Sequence, residues 1–341
     1  MQSIPISDTA MLVDVHTHVV PESFPNYIGK QISSQWPSMA PAPNPCHRHV
    51  MVSGSIYRTV TNQCWDCKVR TDDMNSSGVG LQVLSVMPEL LGYWLSLEDS
   101  EVLCRYLNDV IARMVSDAPG KFLGLAAVPM QNIGSAIREL DFAINTLGMK
   151  GVEIGTNING LPIGHPDLYP FFEAAESMGA AIFVHPLRPV GMDRLVGPAS
   201  LEQIVAFPGE TGLAAVSMIT GGTFAKLPKL RIAYSHGGGS LSMLLPRLQH
   251  AWNTFPPVRQ AVAMDPQVAA RSMYYDNLVY DAATIHRLID VFGVSQLMVG
   301  TDYPFTIMDA DPVGRIQSLD LAESVQIQLK RDNALHWLGM T

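Results

Sequence analysis

Val13-Asp14-Val15-His16-Thr17-His18 reads as a short buried β-strand that finishes in two histidines. Residues i and i+2 of a strand point to one side, so His16 and His18 converge on one point. An H-x-H pair alone is weak, since such pairs also arise incidentally. Its weight comes from the rest of the chain, where strand-length apolar runs recur at 11–16, 81–86, 122–128, 151–154, 180–185, 231–236, 274–281 and 297–302. Most are flanked by Gly or Pro, as buried strands are.

Helical patterns lie between these runs. Residues 97–118 place Val102, Leu103, Tyr106, Leu107, Val110, Ile111 and Met114 on one face. Residues 135–147 open at Ser135 as the capping residue and close at Gly148, 166–178 close at Gly179, 211–221 follow, and 282–292 close at Gly293. Eight strands alternating with helices predict an α/β fold, a (β/α)8 TIM barrel. A doubly wound open sheet alternates too, so strand count alone does not separate the two. Two segments stand outside the repeat. Residues 19–70 form a Pro- and Ser-rich insertion between strands one and two, with Tyr57-Arg58-Thr59-Val60 reading as a short strand, and residues 188–208 form a second long loop. In a barrel, such excursions after strands decorate the catalytic face. The expectation is one domain, 1–341, containing the insertion.

Composition narrows the function. With 341 residues, 47% hydrophobic and 16% charged, the chain has ample core and is not disordered. Its 22 basic against 31 acidic residues, a net charge of −9, exclude a basic stripe for nucleic acid. The sparse charge points to a surface partly covered by another subunit. No apolar run reaches the roughly 20 residues that span a bilayer. Residues 1–10 lack the basic and apolar regions of a signal peptide. Four cysteines, with Cys64-Trp-Asp-Cys67 the one C-x-x-C, do not make a disulfide scaffold, so a cytoplasmic, reduced protein is expected and the pair reads as structural.

The remaining strand ends carry the chemistry. Strand five ends Val184-His185-Pro186, strand six Ser235-His236-Gly237-Gly238-Gly239, and strand eight Gly300-Thr301-Asp302. Polar groups on the C-terminal rim of a parallel barrel read as catalytic. A lone histidine is more often a satisfied core residue, but five ligand-type residues at four strand ends would leave several polar groups unpaired without a metal. His47, His49, His165, His250, His286 and His336 fall in the insertion, on helices or in loops and read as surface or packing residues.

This pattern resembles the amidohydrolase superfamily, and within it the branch of 2-amino-3-carboxymuconate-6-semialdehyde decarboxylase and its decarboxylase relatives. The matching text is Asp14-Val15-His16-Thr17-His18-Val19-Val20-Pro21, Asn62-Gln63-Cys64-Trp65-Asp66, Ser217-Met218-Ile219, Gly221-Gly222-Thr223-Phe224, His236-Gly237-Gly238-Gly239 and Gly300-Thr301-Asp302-Tyr303-Pro304-Phe305. The resemblance implies one divalent metal per subunit, usually zinc, held by His16, His18, His185 and Asp302, with His236 beside it as acid/base. Asp302 is also implied as a proton relay. Three imidazoles and one carboxylate independently suit zinc, with other divalent metals open. After strand four Glu153 stands where a carbamylated Lys would bridge two metals, which favours a mononuclear site; Glu153 is expected to pack or hydrogen-bond in the barrel. Asp281, read as the end of strand seven, is expected to orient His236.

The resemblance further implies Arg58 and Arg247 as carboxylate-binding residues, Phe305 as a substrate contact, and a homodimer in which Arg247 reaches the neighbouring site. The substrate class is a small unsaturated or aromatic carboxylic acid that loses carbon dioxide. The same site chemistry also admits a hydrolase, a hydratase or a hydroxybenzoate-type decarboxylase. Leu187 follows the strand-five His-Pro where the family commonly has Trp, Val52 and Ser53 occupy the stretch of a pocket Lys, and Gln203 stands near a missing pocket Trp. These departures alter the pocket more than the metal chemistry.

Overall fold

In the computed structural model, which describes residues 11–26 and 35–340, eight parallel strands form one sheet. They are β1 (Leu12–Val19), β2 (Val79–Val86), β3 (Phe122–Ala126), β4 (Gly151–Gly155), β5 (Ala181–His185), β6 (Arg231–Tyr234), β7 (Tyr274–Asp276) and β8 (Leu297–Met298). They neighbour one another in chain order. Bridges Asp14–Val299 and Thr17–Tyr303 join the last strand back to the first, so the sheet closes into the expected barrel. Residues 1–10, read above as lacking a signal peptide, lie outside the described residues.

Period-two alternation sorts each strand into two cores. In β5, Ala181 and Phe183 point into the barrel with Val13, Val83, Leu125 and Met298, and Trp337 closes its lower end. Ile182 and Val184 point outward to the layer of helices. His185 continues the inward set and emerges at the C-terminal rim. The helix Leu97–Asp117 starts at Ser96, whose side chain accepts from Asp99 N, and buries Leu103, Leu107, Ile111 and Met114. Val102, expected on that face, is 46% exposed.

Several boundaries differ from the sequence reading, each for a local reason. The helix Ile133–Asn145 is capped by Asn132, which accepts from Ser135 N, so Ser135 lies within its first turn. β7 stops at Asp276, and Asp281 is the N-cap of the helix Ala282–Phe292, accepting from Thr284 N. β6 and β8 also end early, at Tyr234 and Met298, and beyond them His236 (φ 55°) and Asp302 (φ 64°) adopt left-handed backbone. The loop 188–208 is partly helical: a wide turn Glu202–Ala206 runs into the helix Phe207–Thr220. The insertion carries an antiparallel sheet of Ser38–Pro41, His47–Val52 and Ser55–Thr61, the last containing the expected strand. After it, Asp66 caps the helix Cys67–Ser77, with Lys68 N and Val69 N donating to its side chain. All four cysteines are free thiols.

Gly151 shows how closely β4 and β5 approach: a Cβ there would lie 1.8 Å from Ala181 O. Gly151→Ala is therefore expected to lower stability by about 1–3 kcal/mol through overpacking. Gly209→Ala, in a helix with open space around the added methyl, is expected to be neutral or stabilising by up to about 1 kcal/mol. Thermal or urea unfolding of the two variants checks the contrast.

Candidate metal centre and active site

The rim assembles the predicted ligands. One donor atom each from His16, His18, His185 and Asp302 lies within 4.8 Å of the others, and all four residues are buried. Backbone closure does this work. Val15 N donates to Val299 O (2.9 Å), Asp302 N to His16 O (2.9 Å) and His18 N to Tyr303 O (2.7 Å). Asp14 clamps the same seam, accepting from Thr301 Oγ1 (2.6 Å), Thr301 N (3.0 Å) and His16 N (3.2 Å). Burial lifts the Asp14 carboxyl to about 7 against these hydrogen bonds. The fully buried Arg70 donates to His18 O (2.6 Å) and lies over the Tyr303 ring, tying the helix Cys67–Ser77 to both ends of the ligand set.

The histidines are oriented from behind. His16 Nδ1 meets Asp276 Oδ2 at 2.7 Å, His18 Nδ1 meets Val86 O at 3.2 Å, and His185 Nδ1 meets Pro186 O at 2.9 Å. Each partner accepts, which assigns the ring proton to Nδ1 and turns Nε2 lone pairs into the centre. His16 Nε2 and His18 Nε2 then stand 3.1 Å apart, and Asp302 Oδ1, 2.9 Å from His18 Nε2, has no hydrogen-bond donor. Converging lone pairs and a buried carboxylate oxygen without a donor fit a cation at their centre. Three nitrogens and one oxygen are the donor set of a divalent metal.

Electrostatics agree. Burial, reinforced by His18 and His16, holds His185 well below the ordinary histidine range. Burial would raise Asp302, but its close approach to His18 and the other imidazoles outweighs that and keeps the carboxyl at about 2. His236 is no member of the ligand cluster. Its ring lies 5.3 Å from that of His16 and 5.4 Å from that of His185, and it lines the adjacent cavity. Desolvation first, and then His16, pushes it down to about 4, so it is uncharged at neutral pH. The turn that carries it needs glycine: at Gly239 (φ 57°) a Cβ would sit 2.0 Å from Pro208 O.

The cavity beside the ligands has a volume of about 300 Å³. Its wall includes Arg58, Glu89, Gln203, Phe207, Tyr280 and Phe305. The Arg58 guanidinium lies 4.4 Å from the Phe305 ring, which itself stacks on His18 at 4.9 Å. Leu187 is buried, with its side chain close to Gly155 and outside the cavity wall. Arg247 is exposed on the helix Leu241–Thr254 and takes no part in this cavity.

One expectation is corrected. Asp281 does not orient His236; it caps a helix, as described above, because β7 ends five residues earlier. Asp276 stands at that strand end, with Oδ2 on His16 and Oδ1 accepting from Gly237 N at 2.8 Å. It thus links a metal ligand to the His236 turn. Alternation from Tyr274 inward would have found it. Glu153 is fully buried inside the barrel without a hydrogen-bond donor on either oxygen, and it is not one of the clustered ligands.

A closed (β/α)8 barrel with three histidines and an aspartate on its C-terminal rim defines a metal-dependent enzyme-type barrel of the amidohydrolase kind. The amidohydrolase family pattern matches residues 13–340. The chain is 37% identical over 333 residues to 2-amino-3-carboxymuconate-6-semialdehyde decarboxylase of Dictyostelium discoideum, covering 97% of this chain and 92% of that one. Its fold matches Metarhizium anisopliae IDCase with a TM-score of 0.81 at 21% identity, over 99% of both chains. It matches 5-carboxyvanillate decarboxylase of Sphingomonas paucimobilis with a TM-score of 0.75 at 28% identity, over 82% of this chain and 85% of that one. The chain belongs to the amidohydrolase family, in the branch that resembles 2-amino-3-carboxymuconate-6-semialdehyde decarboxylase. Among the described residues no helix is long and apolar enough to cross a membrane.

Asp276→Asn is expected to weaken metal binding about 10- to 100-fold, the usual effect of losing a partner behind a ligand. Asp281→Asn is expected to leave metal affinity unchanged. Competition titration with a chromophoric chelator distinguishes the two.

Proposed function

We propose that this single-domain chain is a metal-dependent, non-oxidative decarboxylase of an unsaturated or aromatic carboxylic acid, with 2-amino-3-carboxymuconate-6-semialdehyde or a close analogue as substrate. The observation that carries the reading is one cavity in which an uncharged His236 and a guanidinium, Arg58, flank the four clustered ligands. The 37% identity to a decarboxylase across nearly the whole chain supports the reaction class. A hydroxybenzoate-type acid is the second reading, favoured by the 28% identity to a 5-carboxyvanillate decarboxylase and by Gln203 in the cavity wall.

His16, His18, His185 and Asp302 hold the metal, with zinc proposed and manganese or cobalt as alternatives. When bound, a divalent cation supplies positive charge that polarises a coordinated oxygen. Arg58 presents a planar fork to a substrate carboxylate. Phe305, stacked between Arg58 and His18, forms an apolar wall against an unsaturated skeleton. As the carbon–carbon bond to the leaving carbon dioxide breaks, its electron pair stays on the substrate carbon. His236 acts as acid/base and manages the proton that carbon takes up. Asp302 serves as ligand and as a relay for that proton.

Arg247 belongs in this proposal to the neighbouring site of a homodimer. It shares the helix Leu241–Thr254 with the outward-facing Leu244 and with Met243, which is 73% exposed. Four free thiols are compatible with the proposed cytoplasmic setting.

His236→Ala is expected to retain full metal and to lose more than about 100-fold in activity, measured as trapped carbon dioxide. His185→Ala is expected to lose the metal itself. Unchanged turnover in the first, or full metal in the second, removes the corresponding role. Dimer sharing has its own test. Co-refolding two inactive proteins, His236→Ala and Arg247→Ala, is expected to restore up to about a quarter of wild-type activity, because half the dimers carry one intact site.

A further inference from the structure

The turn after β2 places in the cavity a carboxylate that the metal cluster does not use. Glu89 sits in the short helix Pro88–Leu91 and lines the same space as Arg58, His236 and Phe305. Its Oε1 accepts a hydrogen bond from the hydroxyl of Tyr57, which reaches across from the insertion strand Ser55–Thr61. Its Oε2 is closed off from water and has no donor among the described residues. Nor does any Lys, Arg or His among them form an ion pair with Glu89.

A carboxylate offers acceptor positions only, and one enclosed without a donor carries the full cost of its lost hydration. In a ligand cavity that cost is removed when the ligand brings the donor, and it penalises analogues that lack one. Apart from Asp302, which belongs to the metal ligands, the other polar wall groups do not offer a second acceptor of this kind. The Tyr280 hydroxyl donates to Ile307 O, and Gln203 is a neutral amide. The terminal torsion of a glutamate is soft, so a small rotation turns Oε2 toward a bound molecule.

We propose that Glu89, oriented by Tyr57, determines specificity by accepting a hydrogen bond from an amino or hydroxyl group of the bound acid. The ligand class is then a carboxylate that also carries such a donor. Arg58 takes the carboxylate and Glu89 reads the substituent. The proposal rests on the decarboxylase reading only for the choice of acids, because its test measures binding without turnover.

The experiment is calorimetric titration of the metal-loaded protein with benzoate and with the separate amino- and hydroxybenzoates. At least one donor-bearing acid is expected to bind about 10-fold or more tightly than benzoate. Glu89→Gln, which removes the charge and turns one of the two acceptor oxygens into an NH2 donor at nearly constant shape, is expected to collapse that preference to within about 3-fold while benzoate affinity holds. Tyr57→Phe leaves the carboxylate in place and frees Oε1, and is expected to change which ring position of the donor is preferred. It serves as the second variant should Glu89→Gln lose benzoate binding altogether. Equal binding of benzoate and every donor-bearing acid by the wild type overturns the proposal. A wild-type preference profile retained in both variants overturns it as well. Carbon dioxide release is read separately. A preference that Glu89→Gln abolishes, in a protein that releases no carbon dioxide from any of these acids, keeps Glu89 as the reader of the donor and removes the decarboxylase reading.

Discussion

Closure of the sheet between its first and last strands is the constraint on which the site depends. His16 and His18 come from β1, and Asp302 follows β8, 284 residues later in the chain at the nearer of the two histidines. Their donor atoms meet only because the main chain of 15–18 pairs with that of 299–303. Asp14 reinforces the seam from inside and Arg70 from the side of the helix that follows the insertion. Parallel pairing places every strand end on one rim, which explains why ligands so distant in sequence share one cluster.

The second determinant is the set of acceptors behind the imidazoles. Asp276, Val86 O and Pro186 O engage Nδ1 of His16, His18 and His185. That leaves Nε2 lone pairs crowded in a buried volume with an anionic Asp302, an arrangement that a cation relieves. Asp276 does more than orient one ring. Its other oxygen holds Gly237 N, so ligand geometry and the position of the His236 turn are coupled through a single carboxylate. His236 stays outside the ligand set and faces the cavity, where burial keeps it neutral.

The insertion completes the cavity. Its last strand brings Tyr57 and Arg58 over the rim, where Arg58 covers Phe305 and Tyr57 reaches Glu89. A barrel without the insertion would lack the Arg58 guanidinium in the cavity wall and the Tyr57 hydroxyl that engages Glu89. The net charge of −9 therefore says little about this cavity, whose wall carries the Arg58 guanidinium.

The barrel, its rim histidines and Asp302 were legible in the sequence because the strand pattern repeats eight times and side-chain direction along each strand, the H-x-H included, is local. Helix faces were legible for the same reason, while caps were less so: Asn132 and Asp281 took roles that pattern alone assigned elsewhere. Asp276 was missed because an apolar run, Leu278-Val279-Tyr280, follows it and masks the strand end. Tyr57, Glu89 and Arg70 gave no signal, since each acts through a contact between segments far apart in sequence. The sequence by itself determined which residues point inward and which strands end in ligands, because backbone geometry makes side-chain direction a local property. Only the tertiary structure decided which acceptors stand behind those ligands and which charges line the cavity, because those depend on how the closed sheet brings distant strand ends and the insertion together.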